Sequence, residues 1–230
     1  MIRDALLIAG KDLKIERSSR VLTSQVVPFG FIVLILFGFG ISPDRRVVGQ
    51  ANRSVLTEVA PGLFWLAILF AALLAFGRSF AVESSDGNLD ALRLAGIDPA
   101  GIFLGKATAV FLQLIVLEVL IGVGAVLFFN VPLARPVLVV TIMAVTTVAI
   151  AATGTLYGAL AAGQTARDTL VPLLVLPALS PVLLAATRAT ESALFGSASD
   201  GWAAAGLVTA FALLYTAAGI VSFGLLLDET

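Results

Sequence analysis

Long apolar blocks alternate with short polar connections along the chain. Each block is close to the roughly 20 residues that a helix needs to cross a bilayer. The six blocks lie at about 21–41, 59–82, 102–129, 134–162, 169–188 and 203–227. Because backbone groups in lipid must be hydrogen-bonded within the structure, we expect helices. The pattern predicts an all-α membrane protein, with six transmembrane helices in one transmembrane domain over 1–230.

The first 20 residues predict an amphipathic helix that lies in the membrane interface. The apolar residues that recur at helical spacing are Ile2, Leu6, Ala9 and Leu13. Lysines and arginines lie off this face. The alternative is a frayed, basic N-terminus, because the apolar face is narrow.

The longest polar interruption separates the second and third blocks, and we treat 83–100 as a connector. Acidic residues open it and leucines follow, which predicts one or two helical turns, too short to be stable alone. Such a helix, polar on one side and apolar on the other, is suited to contact a partner at the membrane surface. The residues predicted to make that contact are Glu83, Asp86, Gly87, Leu89, Asp90, Leu92, Arg93 and Leu94.

The distribution of Lys and Arg predicts the orientation, because cytoplasmic segments carry an excess of both. Most of the 14 basic residues fall at the N-terminus, around the connector and before the fifth block. We therefore expect both termini and the connector to be cytoplasmic.

Composition narrows the possible chemistry. The chain is 59% apolar and only 13% charged, and its net charge of −1 gives no indication of nucleic-acid binding. It has no cysteine and no histidine, which removes thiolate chemistry and the commonest metal ligand, general base and axial haem ligand. The run from Gly101 to Lys106 fails as a phosphate-binding loop, because three residues separate its glycines and Ala107 follows the lysine. We predict no catalytic site, no metal site and no bound cofactor in this chain.

Polar side chains inside the blocks are candidate functional residues. Glu118, with Gln113 a little over one turn before it, lies deep in the third block. Glu118 is either a contact in a gate or pathway, or a hydrogen-bonding group that joins two helices, and we slightly favour the second. Arg78 and Lys106, near the ends of their blocks, are predicted to be interfacial cations.

Small residues and prolines mark two of the later blocks. Gly154 and Gly158 form a small-xxx-small pattern that permits close helix packing, within one chain or across a dimer. Pro172, Pro177 and Pro181 crowd the fifth block, where proline removes backbone hydrogen bonds. That helix is either a hinge or simply irregular.

Several motifs resemble one family, haem exporter protein B (CcmB), the permease of cytochrome c maturation. They are Ala60-Pro61-Gly62-Leu63-Phe64-Trp65, Asp86-Gly87-Asn88-Leu89, Leu104-Gly105-Lys106, Val175-Leu176-Pro177 and Pro181-Val182-Leu183-Leu184-Ala185. The family-motif residues taken from them are Pro61, Gly62, Trp65, Pro177 and Pro181. Gly77 stands where this family often carries Glu, so Arg78 has no acidic neighbour here.

The resemblance implies a non-enzymatic, ABC-2-type permease in the inner membrane. Two copies would pair with two copies of a cytoplasmic ATPase, which binds the ATP. Residues 1–20 would be the elbow helix and 86–94 the coupling helix. A haem-handling membrane protein would join the complex, and ATP use would drive release of a haem-loaded chaperone. The alternatives are an exporter of another apolar substrate and an ion-coupled transporter that uses Glu118.

Overall fold

A computed structural model describes residues 1–19, 22–41, 46–47, 50–84, 98–129, 131–161 and 167–228. Helices dominate this part of the chain. They are α1 (Ile2–Ser19), α2 (Val27–Gly40), α3 (Val55–Ser84), α4 (Pro99–Phe129), α5 (Pro136–Ala161), α6 (Arg167–Leu194) and α7 (Ala198–Asp228). A π-helical turn, Leu22–Val26, precedes α2. Two short antiparallel strands, β1 (Arg46–Val47) and β2 (Gln50–Ser54), separate α2 from α3.

Five helices, α3 to α7, are long and apolar enough to cross a membrane. The first predicted block differs, because α2 has only 14 residues and follows the π-helical turn. Pro28 lies in the first turn of α2, where its missing N–H leaves no helical bond unmade. A 14-residue helix is about 21 Å long, shorter than the roughly 30 Å hydrocarbon core. The described residues therefore give five long spans and one short apolar helix.

The end of α6 also differs from the predicted boundary, because the helix continues past residue 188 to Leu194. Arg135, in the turn before α5, donates from Nη1 to the carbonyl oxygens of Ser192 and Ala193, at 3.2 and 3.1 Å. A cation at a helix C-terminus satisfies carbonyls that have no partner within the helix. This contact stabilises the last turn of α6.

Helix α4 is central to the bundle and packs against α1, α2, α3, α5 and α7. Glycines bring it close to α2, since a Cβ at Gly124 would lie 2.9 Å from Leu34 Cδ1. A Cβ at Gly30 would meet Ile121, and one at Gly38 would meet Phe129. Helix α2 therefore lies along the C-terminal half of α4.

Aromatic rings occupy the space left by two other glycines. The Phe76 ring of α3 fills the position of a Cβ at Gly154, and the Phe103 ring of α4 does the same at Gly219. Gly154 thus permits close packing within the chain, between α3 and α5. Gly158 is also buried in α5.

The contacts define two ends of the bundle. At one end, which we call the connector end, Gly101 lies against Met1 and Gly224 lies against Pro99. At the opposite, distal end, the Thr57 hydroxyl donates to the Phe129 carbonyl oxygen at 3.0 Å. The start of α1, the start of α4 and the C-terminal part of α7 therefore lie at the same end.

Candidate functional site

The connector joins α3 to α4, as the sequence predicts, but most of it lies outside the described residues. Helix α3 ends at Ser84 and α4 begins at Pro99. Arg78 and Glu83 lie within α3, and their side chains are outside the described set. The other predicted contact residues all fall between 85 and 97: Asp86, Gly87, Leu89, Asp90, Leu92, Arg93 and Leu94. Their role remains a prediction.

The described part of the site begins where the connector leads into α4. The Asp98 carboxylate accepts a hydrogen bond from the Ala100 backbone N–H at 3.0 Å, and Pro99 occupies the first helical position. The Met1 ammonium lies 3.6 Å from Asp98 and 3.1 Å from Asp4. The hydrogen bond to Asp4 raises the pKa of that ammonium group. Helix α1 thus meets the connector where α4 starts.

Two glycines on α4 allow α1 to pack closely against it. A Cβ at Gly105 would lie 2.7 Å from the Ala5 carbonyl oxygen and 2.7 Å from Ile8 Cβ. A Cβ at Gly101 would lie 3.0 Å from Asp4 Cβ. Any larger residue at Gly105 would have to displace backbone. The first turns of α4 and helix α1 therefore form one close-packed unit, the α1–α4 junction.

A buried ion pair closes this junction. The Lys106 side chain is 0% exposed, and its Nζ lies 3.4 Å from Asp12 Oδ2, whose side chain is 12% exposed. Lys106, which the sequence places at the membrane interface, is thus covered by α1 rather than open to water. Asp12 Oδ1 also lies 3.4 Å from the partly exposed Lys11. Removing one member of a buried pair is costly, so this contact favours the packed arrangement.

The apolar residues of α1 lie on two sides of the helix. Ile8 and Ala9 are buried, whereas Ile2 and Leu6 are exposed. Of the face predicted from the sequence, Ala9 is buried and Leu13 is partly buried. One side of α1 therefore packs in the junction, while Ile2 and Leu6 are exposed.

A second polar centre lies between α4 and α5. Glu118 is 0% exposed, and the Thr147 hydroxyl lies 2.5 Å from Glu118 Oε1 and 2.7 Å from the Met143 carbonyl oxygen. Glu118 Oε2 has no hydrogen-bond partner among the described residues. Gln113 is partly buried. Glu118 thus has a hydrogen-bond contact with a second helix, as expected if it joins two helices. Its partner, Thr147, was not predicted from the sequence.

Glu118 also lines a cavity of about 380 Å³ in the distal half of the bundle. The walls come from the start of α3, the C-terminal half of α4, the start of α5 and the end of α6. Almost all of the lining side chains are apolar, and Glu118 and Thr190 are the polar ones. The cavity is well separated along α4 from the α1–α4 junction.

A family model described as CcmB protein matches residues 3–225. The chain belongs to the CcmB family. This confirms the resemblance drawn from the sequence motifs.

Curated relatives of this CcmB-family chain carry the name Heme exporter protein B. The protein from Pseudomonas aeruginosa is 30% identical over 217 residues, which cover 92% of each chain. The one from Paracoccus denitrificans is 30% identical over 194 residues, or 84% of each chain. The one from Haemophilus influenzae is 32% identical over 169 residues, or 72% of this chain and 71% of the relative. The similarity thus extends over most of both chains.

The CcmB motif residues lie on two helices, α3 and α6. Trp65 is buried and donates from Nε1 to Thr190 Oγ1 at 2.9 Å, which ties α3 to α6. Pro61 lines the cavity, and a Cβ at Gly62 would lie 3.8 Å from Thr187. The first motif therefore forms the α3–α6 contact beside the cavity.

The second CcmB motif lies in α6, which is one continuous helix from Arg167 to Leu194. Pro177 and Pro181 are exposed on it. The Tyr215 hydroxyl of α7 donates to the Ala178 carbonyl oxygen at 2.9 Å, within the proline-rich stretch. This bond gives α6 an additional tie to α7 where prolines weaken its own backbone hydrogen bonding.

Proposed function

We propose that this chain is the membrane permease subunit of an ABC transporter for haem export in cytochrome c maturation. The observation that carries the proposal is membership of the CcmB family over 3–225. The relatives' name, Heme exporter protein B, supplies the substrate class. ATP-driven release of a haem-loaded chaperone is the finer form of the same proposal. The proposed partners are a cytoplasmic ATPase, a second copy of this chain and a haem-handling membrane protein.

The proposed topology has six crossings, with both termini and the connector in the cytoplasm of the inner-membrane protein. Its support is geometric. Helix α1 and the C-terminal part of α7 both lie at the connector end, which supports an even number of crossings. Helices α3 to α7 account for five crossings. The segment from α1 through α2 joins the connector end to the start of α3 at the distal end, and supplies the sixth. Helix α1 then lies at the cytoplasmic interface as the elbow, with Ile2 and Leu6 facing lipid.

Energy for movement is proposed to come from the partner ATPase. The sequence contains no phosphate-binding loop, so this chain has no nucleotide site of the common kind. Shifting the ratio of open to closed gate from 1:99 to 99:1 takes about 5.5 kcal/mol of differential binding. We call Leu89, Leu92 and Leu94 the leucine edge of the connector. On two copies of the chain, burial of this edge would give a contribution of this order, at about 1.5–3 kcal/mol per buried large side chain.

The α1–α4 junction gives the connector a stiff attachment. The connector leads into Asp98, which caps α4, and within two turns Lys106 is paired with Asp12 of α1. Close glycine contacts at Gly101 and Gly105 leave little room for sliding. Displacement of the connector would therefore move α1 and the start of α4 together.

The test is a charge placed on the leucine edge of the connector. Leu92→Asp should abolish pull-down of the ATPase and lower holocytochrome c, because a carboxylate is not readily buried against an apolar partner surface. Ser199→Asp adds the same charge at an exposed position in the first turn of α7, outside the connector, and should retain both. Thermal unfolding of the purified variants checks that the bundle is intact. Retention of ATPase binding and cytochrome maturation in a folded Leu92→Asp protein would refute the coupling role.

Two further measurements separate the alternatives. Deletion of the gene should abolish c-type cytochromes, whereas an exporter of another apolar substrate predicts normal cytochromes. An ion-coupled transporter predicts activity without any ATPase, lost on Glu118→Gln. Full activity of the Glu118→Gln variant would leave the ion-coupled alternative without a residue to carry the ion.

A further inference from the structure

The cavity in the distal half of the bundle is open along one side, between α4 and α5. Its floor is buried, with Phe64 of α3 and Leu194 of α6 only 8% and 7% exposed. Its sides differ, because Val123 of α4 and Val140 of α5 line the cavity and are 55% and 63% exposed. Both valines lie within spanning helices, so the open side meets hydrocarbon in a bilayer. Lipid chains therefore have direct access to the cavity.

The length of the cavity corresponds to one leaflet. On α4 its lining begins at Glu118 and continues to Leu127, which is about 14 Å of helix at about 1.5 Å per residue. Half of a roughly 30 Å hydrocarbon core is about 15 Å. The inner end is closed where α4 meets α5, at the contact between Glu118 and Thr147. The outer end lies at the turn between α4 and α5, where Leu133 and Pro136 complete the lining.

A cation with unused hydrogen-bond donors lies at this outer end. Arg135 is partly exposed and directly precedes Pro136, a lining residue. Its Nη1 donates to the carbonyl oxygens of Ser192 and Ala193, and the next residue, Leu194, also lines the cavity. A guanidinium has five N–H groups, so those on Nε and Nη2 have no partner among the described residues. In that part of the chain no carboxylate pairs with Arg135, and carbonyl groups supply only partial charge.

We propose that the cavity holds one acyl chain of a phospholipid from the distal leaflet, and that the lipid phosphate pairs with Nε and Nη2 of Arg135. The planar fork of a guanidinium matches two oxygens of a phosphate. A chain that fills the cavity from its inner to its outer end places the phosphate at the turn between α4 and α5, where Arg135 lies. An uncharged lipid would fill the same space and leave the cation without an anion.

Photo-crosslinking in nanodiscs tests the proposal. The full chain is reconstituted in phosphatidylcholine with a trace of one of two probes, a phosphatidylcholine or a diacylglycerol, which carry the same diazirine-labelled acyl chain. Phosphatidylcholine has no net charge, so general attraction of an anionic lipid does not contribute. Mass spectrometry measures labelling of the buried Phe64 and Leu194 relative to the exposed Leu213 and Leu214 of α7, which corrects for the amount of each probe in the membrane.

The two probes distinguish phosphate binding from apolar filling. We expect the relative labelling of Phe64 and Leu194 to be about fivefold higher with the phospholipid probe, as one charge-assisted pair would give. Equal labelling by the two probes would show that the cavity selects for apolar volume only, and no labelling of these residues would show that no chain enters. Either result would overturn the proposal.

Arg135→Gln removes the charge at the outer end and should make the two probes label equally. Arg188→Gln, at an exposed arginine of α6, is the matched control and should keep the fivefold difference. Because Arg135 also bonds the end of α6, thermal unfolding checks that the variant is folded. A persistent preference for the phospholipid in folded Arg135→Gln protein would refute the phosphate contact.

A cavity-filling variant tests the acyl-chain site with Arg135 intact. Gly122 lines the cavity, and a Cβ there would have ordinary contact with Phe64 at 3.8 Å. Gly122→Leu should therefore fold and reduce labelling of Leu194 severalfold with both probes. Gly206→Leu, at a glycine with open space around it, should leave this labelling unchanged. Unchanged labelling in a folded Gly122→Leu protein would place the acyl chain elsewhere and overturn the proposal.

Discussion

Removal of the Asp12 carboxylate should release α1 from α4. Asp12→Ala leaves the 0% exposed Lys106 ammonium without the carboxylate 3.4 Å away. Loss of one partner from a buried pair costs about 3–5 kcal/mol. Because the Asp12 side chain is 12% exposed, we take the low end, about 3 kcal/mol. The ion pair with partly exposed Lys11 adds little to this. A loss of about 3 kcal/mol lowers the ratio of packed to released α1 about 100-fold.

The absence of native cysteine allows this ratio to be measured by thiol labelling. Ala9 is 5% exposed in α1, and Ala9→Cys introduces one small reporter there. Its alkylation by N-ethylmaleimide requires release of the helix, so the rate follows the released fraction when packing and release are fast. Adding Asp12→Ala should raise the rate about 100-fold. A reporter at Ala149, buried in α5, should not react faster if only α1 is released.

Removal of both charges gives the decisive comparison. Lys106→Met keeps a long side chain and removes the ammonium group, so Asp12→Ala with Lys106→Met no longer buries a charge that has lost its carboxylate. We expect the Ala9→Cys reporter in this background to react several times more slowly than with Asp12→Ala alone. If Asp12→Ala labels at the parental rate, or if the added Lys106→Met gives no slowing, the ion pair does not hold α1.

Two predictions concern contacts inside the bundle. Gly154→Ala should lower stability by about 1–3 kcal/mol, because the Phe76 ring occupies the space of the new methyl group, whereas Gly206→Ala in open space should not; thermal unfolding in detergent compares the two. Trp65→Phe removes the donor to Thr190, and a double-mutant cycle with Thr190→Val should give a coupling of about 1 kcal/mol. A coupling near zero would show that the hydrogen bond contributes nothing beyond packing.

The spans could be predicted from the sequence because their length is set by the bilayer and their ends by polar residues. The blocks at 59–82, 102–129 and 134–162 correspond closely to α3, α4 and α5. The prediction of one helix over the first block was less accurate, since a count of apolar residues does not distinguish an α-helix from a π-helical turn followed by α2. The C-terminal extension of α6 is bonded to Arg135, which lies 57 residues before Ser192, and the local sequence pattern carries no information about that contact.

The partners of the buried ionisable residues could not be predicted, because they lie far along the chain. Lys106 and Asp12 are 94 residues apart, and the position of each within its own helix does not show which residue of another helix it contacts. The partner of Glu118 is an uncharged residue, Thr147, whose hydroxyl lies 2.5 Å from Oε1 and which is one of several threonines in α5. In both cases the sequence identified a polar side chain that needs a hydrogen-bonding or ionic partner. Only the packing of α1 and α5 on α4 showed what satisfies it.

Which face of α4 is buried could not be predicted, for a more general reason. In a water-soluble helix, polar residues mark the outer face, and the apolar face must be inside. In a membrane both faces are apolar, because lipid is as apolar as the core. Leu117 is 0% exposed and Val119 is 55% exposed, yet both are aliphatic and they lie two positions apart. Small residues carry more information here, since Gly105 and Gly124 lie where α1 and α2 approach. Glycine position, rather than hydrophobic periodicity, is therefore the signal from which the neighbours of a spanning helix can be inferred.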